Sequence, residues 1–209
     1  MQHPVRGFLH GGAAIASVAA LAVMLHRAWG DGVRMAGAMA FGLGLLAVYS
    51  VSALYHSVPW SRRWKRLMQR VDHSMIFLLV TGTCTPLVLV ALGGWWRAVV
   101  LSLMWSAAVT GIALKLTLPK VRTGLSVAIQ HGIGWAGLGV IPALWSKLGV
   151  MPVLLTVGGG ITYALGSLAF VTRWPRLSPR VFSYHETFHV MVVIGSVLHF
   201  VAIHSFVLS

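Results

Sequence analysis

The stretch Ser183–Phe200, "SYHETFHVMVVIGSVLHF", sets two readings side by side. His185-Glu186-Thr187-Phe188-His189 is a literal HExxH, the spacing with which a metalloprotease helix holds zinc. The same residues open an apolar run, 182–207, and about 20 such residues cross a hydrocarbon layer of about 30 Å as a helix. Six more runs of this kind precede it, at about 8–26, 33–58, 71–92, 95–116, 124–145 and 150–171. Only 9% of the 209 residues are charged and 57% are hydrophobic, whereas a soluble domain needs about 25% charged residues to build its surface. Inside hydrocarbon the backbone must satisfy its own hydrogen bonds, which favours helices. The expected fold is therefore an all-α integral membrane protein, one seven-transmembrane helix bundle over 1–209.

The first run follows Arg6 and is rich in small residues, as a cleaved leader would be. It is longer than a leader's apolar core and six spans follow, so it reads as a retained helix. The single cysteine, Cys84, excludes an internal disulfide and a thiolate metal cluster, and reads as a small packing residue. Glycine runs at 132–139 and 157–166 lie within spans and lack the GK[ST] ending of a phosphate loop, so they read as sites of close helix approach. Trp60, Trp64, Trp95, Trp96 and Trp174 sit at span boundaries, where tryptophan anchors a helix at the interface.

A formal net charge of +13 could suggest nucleic acid. Its distribution excludes that need, because the cations fall between spans. Arg6, Arg62, Arg63, Lys65, Arg66, Arg70, Lys115, Lys120, Arg122, Arg173, Arg176 and Arg180 lie on one side, and Arg27, Arg34, Arg97 and Lys147 on the other. Basic loops stay in the cytoplasm, so the N-terminus is expected inside and the C-terminus outside. Anionic lipid headgroups are the natural partner of such loops.

That orientation assigns a depth to every polar residue. The chain has three acidic residues. Asp31 lies between Arg27 and Arg34, where pairing or solvation accounts for it. Asp72 and Glu186 open apolar spans, where an ionisable group is costly and marks a functional site by default. His56 falls at the cytoplasmic end of the second span, Asp72 at the start of the third, and His185 and His189 at the start of the seventh. Four residues able to bind metal or move protons thus share one level.

His185 and His189 lie four apart on one helix face, about 5–6 Å apart at Cβ. With His56 they make a three-histidine site for Zn2+, leaving a fourth position for water, the catalytic rather than the structural arrangement. Asp72 is then a candidate to orient the water and take its proton. Ser52, four residues before His56, is a candidate to hydrogen-bond the water or a developing oxyanion. His10, His26, His131 and His204 read as packing residues and His3 as a solvated terminal one. His199 is too far along its helix to reach the same ion and reads as lining an internal cavity. For His73, support of the site and simple packing fit equally.

A protease would need a further ligand. No acidic residue follows Glu186, position 195 is glycine rather than a third histidine, and no later span exists to supply an aspartate. The HExxH therefore reads as an HxxxH with a glutamate inside it.

Three segments, "SVSALYHS" (50–57), "RVDHSMIFLLVTGTCTP" (70–86) and "SYHETFHVMVVIGSVLH" (183–199), together resemble the haemolysin III group of the progestin and adipoQ receptor family, related to the alkaline ceramidases. The resemblance runs over essentially the whole chain. It implies zinc on His56, His185 and His189, with Asp72 and Ser52 as polar companions of the metal-bound water. Because the middle of HxxxH varies in that family, it favours Asp72 over Glu186 as the base. Cys84 stands where bacterial members usually carry an aromatic residue, in "GTCTP", a packing detail. The long extramembrane region before the first helix of the animal receptors has no counterpart here, so a protein hormone is not an expected ligand. The resemblance implies a zinc-dependent hydrolase of a lipid amide such as ceramide, in the plasma (inner) membrane. Physically, a water-activating metal inside an apolar bundle suits a substrate that arrives through the bilayer. The competing expectation is non-enzymatic: a sensor in which zinc staples helices together, or a pore-forming cytolysin.

Overall fold

The structure, a computed structural model, describes residues 4–118, 123–178 and 181–209. His3, Lys120, Arg122 and Arg180, for which the sequence suggested solvated or loop positions, lie outside the described residues. Among the described residues eight α-helices follow one another: α1 (Pro4–Arg27), α2 (Gly32–Ser57), α3 (Arg62–Ala91), α4 (Gly94–Thr117), α5 (Thr123–Ala136), α6 (Ile141–Leu148), α7 (Val150–Thr172) and α8 (Tyr184–Ala202). A 3-10 turn, Gly137–Val140, joins α5 to α6, and a π turn, Ile203–Val207, extends α8. Taking α5, the turn and α6 as one broken span, seven segments among the described residues are long and apolar enough to cross a membrane. The fold expected from composition is the fold observed.

Two departures from the apolar runs have simple causes. At 1.5 Å per residue the 30-residue α3 is about 45 Å long, more than the hydrocarbon layer needs. Its first turns carry Arg62, Arg63, Lys65 and Arg66, all exposed, past the apolar part of the bundle. Arg, Lys, Leu, Met and Gln are good helix formers, so a basic stretch that reads as a loop continues as helix. The fifth span breaks where Gly137 meets α3: a Cβ there would stand 3.0 Å from the Cys84 sulfur. Cys84 therefore packs as expected, close against the Gly137 backbone, where an added Cβ would crowd its sulfur.

α3 is the most enclosed helix, held between α2 and α4, while α7 pairs with α8 and α1 bridges α2 and α8. At Gly82 a Cβ would collide with the Ala40 carbonyl oxygen, so α2 and α3 touch backbone to backbone. This contact joins the first half of α2 to the last third of α3 and seats the two antiparallel helices against each other. The helix ends are tied as well. Asp31 caps α2 by accepting from the amides of Val33 (2.9 Å) and Arg34 (3.0 Å), and it pairs with Arg34 at 3.4 Å. Lys147 donates to the carbonyls of Val90 (2.9 Å) and Ala91 (3.0 Å) at the C-terminus of α3, where a cation complements the helix dipole.

Candidate metal centre

The last turns of α2, the first turns of α8 and the middle of α3 meet at the basic end of the bundle. α2 brings Ser52 and His56, four residues and so about one turn apart, and both are buried. α8 brings His185 and His189. The three imidazoles form a near-equilateral set: ring centroids are 5.3 Å apart for His56–His185, 5.0 Å for His56–His189 and 5.0 Å for His185–His189. One ring nitrogen from each lies within 4.8 Å of the other two, a group that could hold a metal ion. Nitrogens sharing one zinc at 2.0–2.1 Å stand about 3.3 Å apart, a closure that small ring rotations would supply.

The surroundings of His189 fit a metal ligand. Its Nδ1 lies 3.1 Å from Nδ1 and 2.9 Å from Nε2 of His10, leaving Nε2 to face an ion. Metal-bound histidines characteristically commit their other ring nitrogen to such a partner, which fixes ring orientation and tautomer. His10, 2% exposed, also meets Tyr49 edge-on at 5.0 Å. It is thus tied to the cluster rather than being the simple packing residue suggested by its sequence. The signal was present, since α1 starts at the same end and His10 lies in its second turn, level with His56 and Asp72.

The two carboxylates at this level are used differently. Asp72 hydrogen-bonds the Ser52 hydroxyl and lines an internal cavity. Glu186 turns the other way. Its Oε2 accepts from the Ser183 amide at 2.9 Å, closing a capping box that starts α8, and its Oε1 takes the Arg6 Nε at 2.6 Å. The glutamate of the HExxH is a helix cap and an ion-pair partner, and it does not line the cavity.

That cavity, of about 170 Å³, runs from Asp72, His185 and His189 along α3, α7 and α8 to Thr156 and His199. His199 therefore lines it, as its distance along the last span suggested, beside Gly159, where a Cβ would strike its ring. Trp135 on α5 and Ile161 on α7 line the cavity yet are 57% and 51% exposed. The cavity wall therefore reaches the outer surface of the bundle on the side of α5 and α7. His73 and His131 line the cavity too, and the latter's Nδ1 lies 2.9 Å from the Val127 carbonyl oxygen. His26 is exposed, and His204 stacks on Phe200 at 5.4 Å. Lys115, read from the sequence as a loop cation, is instead 7% exposed within the last turn of α4 and lines the cavity.

The family profile described as "Haemolysin-III related" matches residues 1–200 of the 209-residue chain. The chain belongs to this family. Among its relatives is "Hemolysin-3" of Bacillus cereus, 30% identical over 95% of this chain and 89% of the relative. "Hemolysin-3 homolog" of Bacillus subtilis (strain 168) is 28% identical over 91% of this chain and 87% of the relative. "Heptahelical transmembrane protein ADIPOR2" of Oryza sativa subsp. japonica is 29% identical over 83% of each. The bacterial and plant matches together place the chain in the haemolysin III group of the progestin and adipoQ receptor family. As a haemolysin III-related chain with seven apolar spanning helices, it is a multi-pass integral membrane protein.

Proposed function

We propose that this protein is a zinc-dependent lipid hydrolase that cleaves an amide bond, with its site at the cytoplasmic end of the bundle. The observation that carries the reading is the junction of two features. A three-histidine cluster shares its level with a carboxylate that no cation among the described residues ties down, and Asp72, His185 and His189 line one cavity whose wall reaches the outer surface of the bundle. His56, His185 and His189 would hold the ion, which when bound supplies Lewis-acid polarisation of a carbonyl and activation of water.

The remaining work falls to the chain's own groups. Asp72 accepts the proton of the attacking water and returns one to the leaving amine, the two halves of general base and general acid catalysis. Ser52 holds that carboxylate by donating to it, so the lone pair that takes the proton keeps one orientation. His10 holds His189. The apolar lining orients the acyl chain and keeps bulk water away from the reacting carbonyl. The distribution of basic residues supports the cytoplasmic orientation, and their exposed side chains on α3 suit anionic headgroups rather than nucleic acid.

The experiment is fatty-acid release by the purified protein in phosphatidylcholine nanodiscs, measured by mass spectrometry over a panel of ceramides and other lipid amides. The expected result is metal-dependent release that Asp72→Asn abolishes while bound metal is unchanged. No release across the panel with zinc still bound would favour the competing reading, an ion that merely staples α2 to α8.

A further inference from the structure

Several cations of the bundle have an acid or a helix-end carbonyl as partner. Arg6 pairs with Glu186, Arg34 with Asp31, Arg97 donates to the Leu92 carbonyl and Lys147 to the end of α3. Lys115 is the enclosed one, at 7% exposure, and its partner among the described residues is a hydroxyl: its Nζ donates to the Ser126 Oγ at 3.0 Å. An ammonium carries three donors and no acceptor, so this hydroxyl satisfies one donor and none of the charge. Burial at that depth is costly without a counter-charge. A lysine at a membrane boundary ordinarily avoids this by extending its head to the interface. This one points inward instead.

Of the three acids of the chain, one, Asp72, lines the same cavity, yet it forms no ion pair with Lys115 among the described residues. Asp31 caps α2, Glu186 is committed to Arg6 and the start of α8, and Asp72 takes the Ser52 hydroxyl. The ion pairs formed among the described residues do not include Lys115. Beside it the cavity wall carries the neutral hydrogen-bonding groups Ser126 and Gln130, each 5% exposed, and His73, whose neighbour Asp72 lines the same cavity but takes the Ser52 hydroxyl. Gln130 spans from α5 to the His73 carbonyl of α3 at 3.4 Å, which holds α5 against α3 at this point. A pocket with a cation and neutral polar groups, continuous with an apolar cavity, suits an amphiphile whose head is an anion.

We propose that this end of the cavity is an anion subsite, so that the lipid taken up carries a carboxylate or phosphate that Lys115 neutralises while its chain lies along the apolar lining toward Thr156 and His199. That the bound lipid is also the one cleaved rests on the proposed function; that it binds does not. The subsite is built by α4 and α5, whereas the histidine cluster is built by α2 and α8, and it selects for acidic lipids over uncharged ones such as ceramide.

The test uses the full-length protein in phosphatidylcholine nanodiscs, titrated with dodecyl phosphate, dodecanoate, dodecanol and inorganic phosphate and followed by tryptophan fluorescence, since Trp135 lines the cavity. Each titration is repeated after chelation, because a carboxylate or phosphate could also go to a metal. With or without metal, the two amphiphilic anions are expected to bind at least about tenfold more tightly than dodecanol, the worth of one charge-assisted hydrogen bond. Lys115→Gln should erase that preference and leave dodecanol unchanged, while Lys115→Arg should keep it. An anion preference that survives Lys115→Gln, or that vanishes on chelation, overturns the subsite. Inorganic phosphate binding as tightly as dodecyl phosphate overturns the lipid. Should Lys115→Gln not fold, Ser126→Ala is expected to weaken the anions several-fold and spare the alcohol, and equal loss for both would overturn the proposal. Because chelated protein can pass this test whatever its hydrolytic activity, failure here and failure of the hydrolase reading are separate results.

Discussion

Asp72 and Glu186 stand at the same end of one bundle, each near the start of a spanning segment, and they do opposite things. Glu186 is saturated: a guanidinium takes one oxygen and a backbone amide the other, and it is 5% exposed. Asp72 has a serine hydroxyl and an open cavity. A carboxylate fixed by a cation and a cap has no reason to accept a proton. One held by a neutral hydroxyl beside a substrate-sized space can. The lesson is that role follows from partners rather than from motif membership, since Glu186 occupies the position of a protease base in HExxH and Asp72 belongs to no protease motif.

The largest expected effect breaks or confirms that contrast directly. Asp72→Asn should reduce fatty-acid release by about 10²–10⁴-fold, the usual worth of a positioned acid–base group, with metal content by mass spectrometry unchanged. Glu186→Gln in the same assay should stay within about threefold of wild type. Reversal of the two results would restore the protease-like assignment and discard Asp72. Next in size is His10→Ala. Removing the group that holds His189 should weaken metal binding by about 10–100-fold, read by chelator competition. His26→Ala, an exposed histidine of the same helix, should leave metal affinity at the wild-type value.

How much of this could be read from the sequence depends on whether the signal was local or tertiary. The three clustered histidines were legible as a group because helix periodicity puts His185 and His189 on one face and loop charge fixes the level of His56. His10 obeyed the same logic but had no partner within its own helix to single it out. Glu186 carried its own explanation, since Ser183-x-x-Glu186 before an apolar run is a capping box, a pattern eclipsed by the overlapping HExxH. Lys115 was not legible: an apolar run ending in lysine looks the same whether the side chain reaches out to headgroups or bends into a cavity. Only the packing of α5 against α3 and α4 decides that. The break between α5 and α6 was hidden for the same reason, because glycine is common within spans and the close contact that demands it, with Cys84, comes from another helix.

The Arg6–Glu186 pair gives the third effect, on stability rather than activity. Glu186→Gln removes the charge that Arg6 faces and weakens the cap of α8. It should lower stability in a denaturant titration by about 1–3 kcal/mol, with Arg6→Gln alone costing a similar amount and the double variant less than the sum. Being partly buried, the coupling should change little with salt.

The smallest effect concerns Ser52. Its hydroxyl orients the Asp72 carboxylate but need not touch the reacting atoms, so Ser52→Ala should lose about one hydrogen bond's worth, near 1 kcal/mol or about fivefold in rate, and keep its metal. The size matters more than the sign. A serine that only steers the base should cost far less than the base itself, and Ser52→Thr, if its added methyl is accommodated, should recover most of the loss. A drop as deep as that of Asp72→Asn would mean the hydroxyl stabilises the oxyanion directly. It would then move from supporting Asp72 to acting beside it on the substrate, and the contrast between the two carboxylates would need Ser52 as a third member.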